Sequence, residues 1–387
     1  MTDNIKPDHA LLSASGSSRW VGCPASVAME HGVTEDPSEY AEEGIKAHKL
    51  ASDEIDYWDK SNGLEDNSPL TLCTDKDMSN YVSLYIDYLA GLQDSDSRLF
   101  LEQKVNFSNA VINGYGTADA IIINTKTNHL DVVDLKYGFN EVLAKDNTQM
   151  LLYAIGTINS IYSLFTRSVD DPETITLHIA QPRINNFDTW TITYEELQDW
   201  IKYFKVQSIK ALTLNDEFNP SITNCKYCKA KKHCPALSSF VDNLTVELKE
   251  KIDAGTLFAG GQSLKKDFDN NFIKKVLDNT TLIKSYLQMI EDTARERLIY
   301  GEEIEGYKLV RSMSRRKLNK DAEDELRDCY GDKIYQKTLL GLTALEKVLG
   351  KRNLDNYTHK SLSGLAIVKD TDKRQSVKDL IKFENVE

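Results

Sequence analysis

The chain has 387 residues, 41% of them hydrophobic and 28% charged, and carries a net charge of −13. That is the composition of a folded chain with two domains, or one core with a large appendage. It excludes a protein that coats nucleic acid indiscriminately, since such coating neutralises phosphates with Lys and Arg, though not a nuclease that does so with metal ions and a local basic groove.

The first residues, MTDNIKPDHALLSASG, lack the charged and then apolar pattern of a secretory signal. No apolar run approaches the roughly 18 residues that span a bilayer, so a cytoplasmic chain with no membrane partner is expected. Residues 9–30 read as a Ser- and Gly-rich loop followed by a short helix, with Cys23-Pro24 at the junction. Residues 38–58 predict a helix with Ser38 as N-cap, carrying His48. Residues 59–75 read as a polar loop and residues 77–92 as a second amphipathic helix. Residues 98–107 alternate as a strand bearing Glu102 and Lys104 on one face. Tyr115–Ile123 and His129–Lys136 then form a hairpin, with Asp119 on its first strand and Asp134-Leu135-Lys136 at the end of its second. A helix over 146–165 follows, with Gln149 and Tyr153 four residues apart on one face. Strands at 174–183 and 187–193 and a helix at 194–214 complete this part. The loop after it leads to Cys225-x2-Cys228-x5-Cys234-Pro235. Beyond about residue 240 the character changes. A long helix is predicted over 272–300, with Phe272, Val276, Ile283, Leu287, Ile290, Ala294 and Leu298 as its stripe. A strand-like segment at 307–313 and short helices at 321–330 and 342–349 come after it.

Side chains two apart on a strand share a face, so Asp134 and Lys136 project together, and the hairpin can bring Asp119 beside them. Two carboxylates and a lysine at the end of an apolar sheet are poor packing and good metal-ion chemistry. In that reading Asp119 and Asp134 are ligands to Mg²⁺ or Mn²⁺ and the Leu135 carbonyl is a third. Lys136 orients the water or offsets transition-state charge. Gln149 and Tyr153 position the lysine or the scissile phosphate, and Glu102 lies beside the metal. His48 completes the metal shell and favours Mn²⁺, the softer ion.

Gly116-Thr-Ala-Asp119, Asp134-Leu-Lys136 and Gln149-Met-Leu-Leu-Tyr153, with His48 upstream, resemble the successive motifs of the RecB-type PD-(D/E)XK nucleases. The resemblance covers about residues 9–240 and implies a restriction-endonuclease-like α/β core, a central mixed sheet flanked by helices. One N-terminal cysteine with a C-x2-C-x5-C-P cluster is similar to the iron–sulfur subclass, which includes the AddB nuclease domain and CRISPR-associated RecB-like exonucleases. By that resemblance Cys23, Cys225, Cys228 and Cys234 hold a [4Fe–4S] cluster, closing a loop of about 200 residues. A structural zinc site, with His233 as a substitute ligand, is the competing reading. Cys73 and Cys329 read as ordinary thiols.

The division expected is a nuclease domain over 1–240 and an α-rich accessory region over 241–387, comprising a long helix and a small α/β segment. The whole layout looks similar to RecB-like proteins encoded by phages. The activity implied is a metal-dependent DNA exonuclease working in recombination, replication or repair inside a bacterial host cell. A non-catalytic DNA-end-binding module and an endonuclease of the same fold are the rivals. No G-x-x-x-x-G-K-[ST] run is present, so unwinding would come from a helicase partner. A recombinase, a single-strand-binding protein or a second copy of the chain are further expected partners. Arg311, Arg315, Arg316 and Lys317 are expected to help grip DNA.

Overall fold

Ser97–Asn106 (β1), Tyr115–Asn124 (β2) and His129–Leu135 (β3) form an antiparallel meander. β2 is its centre. Ala120 and the run Ile121-Ile122-Ile123 are fully buried, as a strand covered on both faces requires. Thr174–Gln181 (β4) pairs parallel to β3 and returns antiparallel as Asn186–Thr193 (β5). The sheet order is β1-β2-β3-β4-β5. The structure, a computed structural model, describes residues 10–33, 39–61, 68–166, 171–214, 216–254, 270–308 and 310.

Helices cover both faces, so the fold is a mixed α/β sheet between helical layers. The described helices are Ser17–Gly22 (α1), Ala25–Glu30 (α2), Glu39–Ser61 (α3), Pro69–Leu72 (α4), Lys76–Leu92 (α5), Thr148–Thr157 (α6), Ser163–Thr166 (α7), Tyr194–Thr213 (α8), Ile222–Lys226 (α9), Pro235–Ala254 (α10) and Asn270–Ile299 (α11). Strand alternation sorts the core. Ile121, Ile123, Leu130 and Val132 pack with Met150, Leu151 and Ala154 of α6 and with Leu197 and Phe204 of α8. Ala120, Ile122, Val133 and Leu135 pack with Ala47 and Ala51 of α3 and with Val82, Tyr85 and Leu89 of α5. Side-chain caps begin several helices: Asp75 on α5, Asn147 on α6, and a Thr193–Glu196 capping box on α8. Between β3 and β4, Asp131 Oδ1 takes both His178 Nε2 at 2.8 Å and His129 Nε2 at 3.1 Å. That satisfies a carboxylate which burial would otherwise penalise.

The order of helices, three strands, helix and strand is as expected; several details are not. The N-terminal segment makes two short helices, α1 and α2, with Cys23-Pro24 between them. The loop expected at 59–75 contains the end of α3 and all of α4, which Ser68 caps by accepting the Thr71 N–H. The helix expected over 146–165 is interrupted by a π-helical turn, Ile158–Tyr162. The wider turn lets Asn159 Nδ2 donate to the Asn106 carbonyl at 3.1 Å and Ser160 Oγ accept the Asn106 N–H at 2.8 Å, which ties the crossover to the end of β1. α10 was not anticipated, although Pro235 at its first position is a helix-start signal. On α11 the buried residues are Phe272, Leu282 and Met289, while Leu287 and Ile290 are exposed. The stripe therefore lies one position round from the one expected.

Residues 1–309 form one compact unit and residues 310–387 a second. α10, which spans the boundary expected at residue 240, and α11, which follows it, belong to the first unit. Of the 307–313 segment, an isolated bridge between Ile304 and Tyr307 is described. Ser38, Arg311, Arg315, Arg316, Lys317, Cys329 and the helices expected at 321–330 and 342–349 lie outside the described residues. Among the described residues no helix is long and apolar enough to cross a membrane.

Gly156 shows how closely α6 sits on the sheet. A Cβ there would lie 2.9 Å from Val105 Cβ and 3.0 Å from its Cγ2, atoms that the strand backbone holds in place. Alanine in a helix interior normally gains up to about 1 kcal/mol over glycine, whereas overpacking costs about 1–3 kcal/mol. Gly156→Ala is expected to lower the urea midpoint; a raised midpoint would show that the helix can move outward.

Candidate active site

The register of β1, β2 and β3 builds the site. Leu101 faces Ala120 and Gln103 faces Ala118, so Glu102 stands opposite Asp119. One step beyond the Ala120–Val133 pair, Asp119 stands opposite Asp134. Three carboxylates thus lie abreast near the C-terminal end of β3, beside the parallel β3–β4 junction where open α/β sheets place their ligands.

Each is held differently. Asp119 Oδ2 accepts the Leu135 N–H at 2.8 Å and lies 3.4 Å from Nδ1 of His48, which α3 delivers from the opposite layer. Glu102 is exposed on β1 with φ +47°, the left-handed region that a non-glycine residue rarely enters. Among the described residues, His48, Glu102 and Asp119 are the set of His, Cys, Asp and Glu whose ligand atoms lie within 4.8 Å of one another. Asp134 is only 1% exposed and turns to the other layer. Its Oδ2 is 2.7 Å from Lys136 Nζ, and Gln149 Nε2 donates to its Oδ1 at 2.9 Å. Lys136 Nζ donates to Gln149 Oε1 at 3.0 Å, and Gln149 Nε2 is 3.3 Å from the Tyr153 hydroxyl. Gly116 makes room for this: a Cβ there would lie 3.1 Å from the Tyr153 ring, which supplies a physical reason for glycine three residues before Asp119.

A second constellation lies where the N-terminal helices meet α9. Cys23, Cys225, Cys228 and Cys234 line one pocket with Phe218 and Pro220, and all four are free thiols. Backbone N–H groups of Asn219 and Leu237 point at Cys23 Sγ and Cys234 Sγ, each at 3.4 Å. Hydrogen bonds stitch the same junction independently of the sulfurs. Asn219 and Asn224 side chains donate to the Gly22 carbonyl, the Lys229 N–H donates to Glu30, and Arg19 donates to the Tyr227 carbonyl while pairing with Glu30 at 2.9 Å.

A family model described as "Protein of unknown function (DUF2800)" matches residues 9–375. The chain belongs to the DUF2800 family. Two solved structures are similar to parts of it. SSO0001 is 17% identical with TM-score 0.27, covering 61% of this chain and 90% of its own. A "Putative exonuclease" from Eubacterium rectale is 13% identical with TM-score 0.33, covering 60% of this chain and 92% of its own. At those TM-scores the likeness carries no weight for activity, and the chemistry of this DUF2800 protein rests on its own side chains.

The electrostatics follow from crowding. Burial pulls the His48 imidazole down, but Asp119, with Asp134 and Glu102 behind it, overrides burial and lifts it to about 9. Burial raises the Asp134 carboxyl against the opposing pull of Lys136. Burial pulls Lys136 down, but Asp134 and Asp119 outweigh it and keep the ammonium charged. Burial and the Asp119 charge raise Glu102. The Tyr153 phenol is pushed up by burial and by Asp134 and Asp119, and the Tyr85 phenol by burial and the same carboxylates with Glu102. In the thiol pocket, burial raises Cys225 and pushes Cys228 up to about 12.

The carboxylate, histidine, lysine, glutamine and tyrosine side chains expected in the active site gather in one place and the four expected cysteine ligands in another, with differences of detail. Glu102 joins His48 and Asp119, Asp134 is engaged by Lys136 and Gln149, and Leu135 contributes its N–H to Asp119. His233 lies in the turn Lys229–His233 before Cys234 and is not among the residues lining the sulfur pocket. Sequence reading missed Tyr85, which lines the His48 pocket but reads as one more apolar position of α5. It also missed Arg183, whose guanidinium lies 4.5 Å from the Tyr137 ring centre and 4.0 Å from that of Phe139 and pairs with Glu43 at 2.7 Å. That clamp fixes the loop after Lys136 to the helix carrying His48.

Because the folded His48 pKa lies above its ordinary 6.5, its contribution to stability is complete below pH 6.5 and is lost as pH rises through about 9. Metal-free protein is expected to lose stability across that window in urea titrations, and His48→Asn to lose less; an identical slope in the variant would contradict this coupling.

Proposed function

We propose that this DUF2800 chain is a metal-dependent deoxyribonuclease of the RecB-type PD-(D/E)XK kind, acting as an exonuclease on single-stranded or duplex DNA ends. The carrying observation is the convergence of His48, Glu102 and Asp119 within ligand distance of one another, beside the buried Asp134–Lys136 pair. Mixed imidazole and carboxylate donors suit Mg²⁺ or Mn²⁺, with the histidine favouring manganese. Asp134 Oδ2, buried with no hydrogen bond of good geometry beyond its Lys136 ion pair, is a further donor atom. A bound ion would supply an activated water and positive charge over the phosphate.

The chain's own residues do the rest. Asp119 is fixed by the Leu135 N–H, so its free oxygen keeps one direction. Gln149 bridges Asp134 and Lys136 and sets where the ammonium sits. From there Lys136 orients a water or offsets charge on a non-bridging phosphate oxygen. Tyr153, whose phenol is pushed up by burial and then by Asp134 and Asp119, remains a hydrogen-bond donor at neutral pH.

The thiol pocket would hold a [4Fe–4S] cluster, the group that the resemblance to the iron–sulfur nucleases implies, and the cluster would reinforce the hydrogen-bonded junction between the N-terminal helices and the Cys225–Cys234 segment. A role in phage DNA recombination, replication or repair, beside a helicase, recombinase or single-strand-binding partner, suits such an enzyme in a bacterial cytoplasm.

Anaerobically purified protein is expected to degrade end-labelled DNA with Mg²⁺ or Mn²⁺, and Lys136→Ala to slow cleavage about 10²- to 10³-fold. Intact label in every condition, with DNA ends still bound without metal, would point to a binding module instead. Cleavage of closed circles would make it an endonuclease. Iron analysis is expected to return four irons per chain and far fewer for Cys225→Ser; zinc in place of iron would overturn the cluster assignment.

A further inference from the structure

The segment before α1 separates the active site from an open groove. On one side, Ala14 lies near Gly116, whose added Cβ would be 3.9 Å from the Ala14 Cβ, and Ser17 Oγ is 2.7 Å from Thr148 Oγ1 beside Gln149. On the other, Ser13, Ser15, Arg19 and His31 line the groove, together with Tyr227, between Cys225 and Cys228, and Lys229, just after Cys228.

Tyr227 stands out chemically. It is 67% exposed, although it sits in a loop whose neighbouring cysteines point inward. Its backbone is fixed by the Arg19 guanidinium on its carbonyl at 3.1 Å, and Lys226 Nζ lies 4.9 Å from its ring centre. The acidic groove residue Glu30 is occupied by Arg19 and the Lys229 N–H, and the Lys226 and Lys229 side chains beside the ring are exposed. A rigidly mounted, exposed aromatic ring flanked by cations is what a single strand needs: the ring stacks on a base and the cations track the phosphates.

We propose that this groove binds single-stranded DNA beside the active site, with Tyr227 as the base-stacking residue and Lys226 and Lys229 on the phosphates. The proposal rests on the nuclease reading for its ligand, and it gives the thiol-bearing segment a second task, that of presenting Tyr227. Tyr227 holds a base and is not a catalytic residue.

The test is binding of a fluorescein-labelled oligodeoxythymidylate to the full chain in EDTA, which prevents cleavage. Tyr227→Ala is expected to weaken binding about tenfold with the native thermal midpoint and an unchanged salt slope, and Tyr227→Phe and Tyr227→Trp to bind as the native protein does. Lys229→Gln is expected to flatten the salt slope. An oligonucleotide of abasic residues should bind the native protein and Tyr227→Ala alike. Native binding by Tyr227→Ala, or equal loss in Tyr227→Phe, would overturn the stacking role while leaving the nuclease reading intact. No binding of any oligonucleotide by the native protein would overturn the groove, and the nuclease reading would still be decided by cleavage with Mg²⁺ or Mn²⁺.

Discussion

The strand register that sets Glu102, Asp119 and Asp134 side by side is the constraint on which the rest of the structure depends. Unit charges about 5 Å apart repel by about 3 kcal/mol at an effective dielectric near 20, and directly opposed strand residues stand about that far apart. Two such contacts in one row would oppose the fold unless something offset them. The chain offsets each separately: His48 comes from α3 to Asp119, and Lys136 with Gln149 takes Asp134. Glu102, left at the exposed end, keeps a raised pKa and a left-handed backbone. A divalent cation among His48, Glu102 and Asp119 would relieve the remaining repulsion. The site is thus destabilising by itself and complementary to positive charge, as a catalytic metal centre has to be.

The surrounding layers hold those offsets in place. α3 is anchored through Ala47 and Ala51 against Ile122 and Val133, so His48 arrives at a fixed height. The Arg183 clamp joins the same helix to the loop after Lys136. On the other face, α6 sits close enough to β1 that Gly156 has no space for a side chain, and this holds Gln149 and Tyr153 over Asp134. The N-terminal helices close against α9 through hydrogen bonds, and the four thiols line one pocket beside them. Because Ser17 bonds to Thr148 at the start of α6, that junction bears directly on the helix that positions Gln149.

Much of this was legible in the sequence because it rests on local pattern. Ile121-Ile122-Ile123 could only be a strand buried on two faces, and the hairpin register then forced Asp119 towards Asp134. Gln149 and Tyr153 followed from helical spacing, while Cys23, some 200 residues from Cys225, Cys228 and Cys234, was joined to them only by the resemblance. What could not be read depends on tertiary context. The left-handed backbone of Glu102 has no sequence signal, since nothing near it is glycine or a turn former. The π-helical turn at Ile158–Tyr162 answers to Asn106, more than fifty residues away. Tyr85 is one apolar position among several on α5 until the carboxylates beneath it are known. Tyr227 looked like a spacer between two cysteines, and only its exposure sets it apart.

The account stands or falls on whether the carboxylate row takes up a metal through the residues named. The most direct measurement is calorimetric titration of metal-free protein with Mn²⁺ in buffers of different ionisation enthalpy. The expected result is saturable binding with release of a proton as His48 gives up its charge, weakened in Glu102→Gln and abolished in Asp119→Asn. Native-like Mn²⁺ binding by Asp119→Asn, with no proton released, would contradict it.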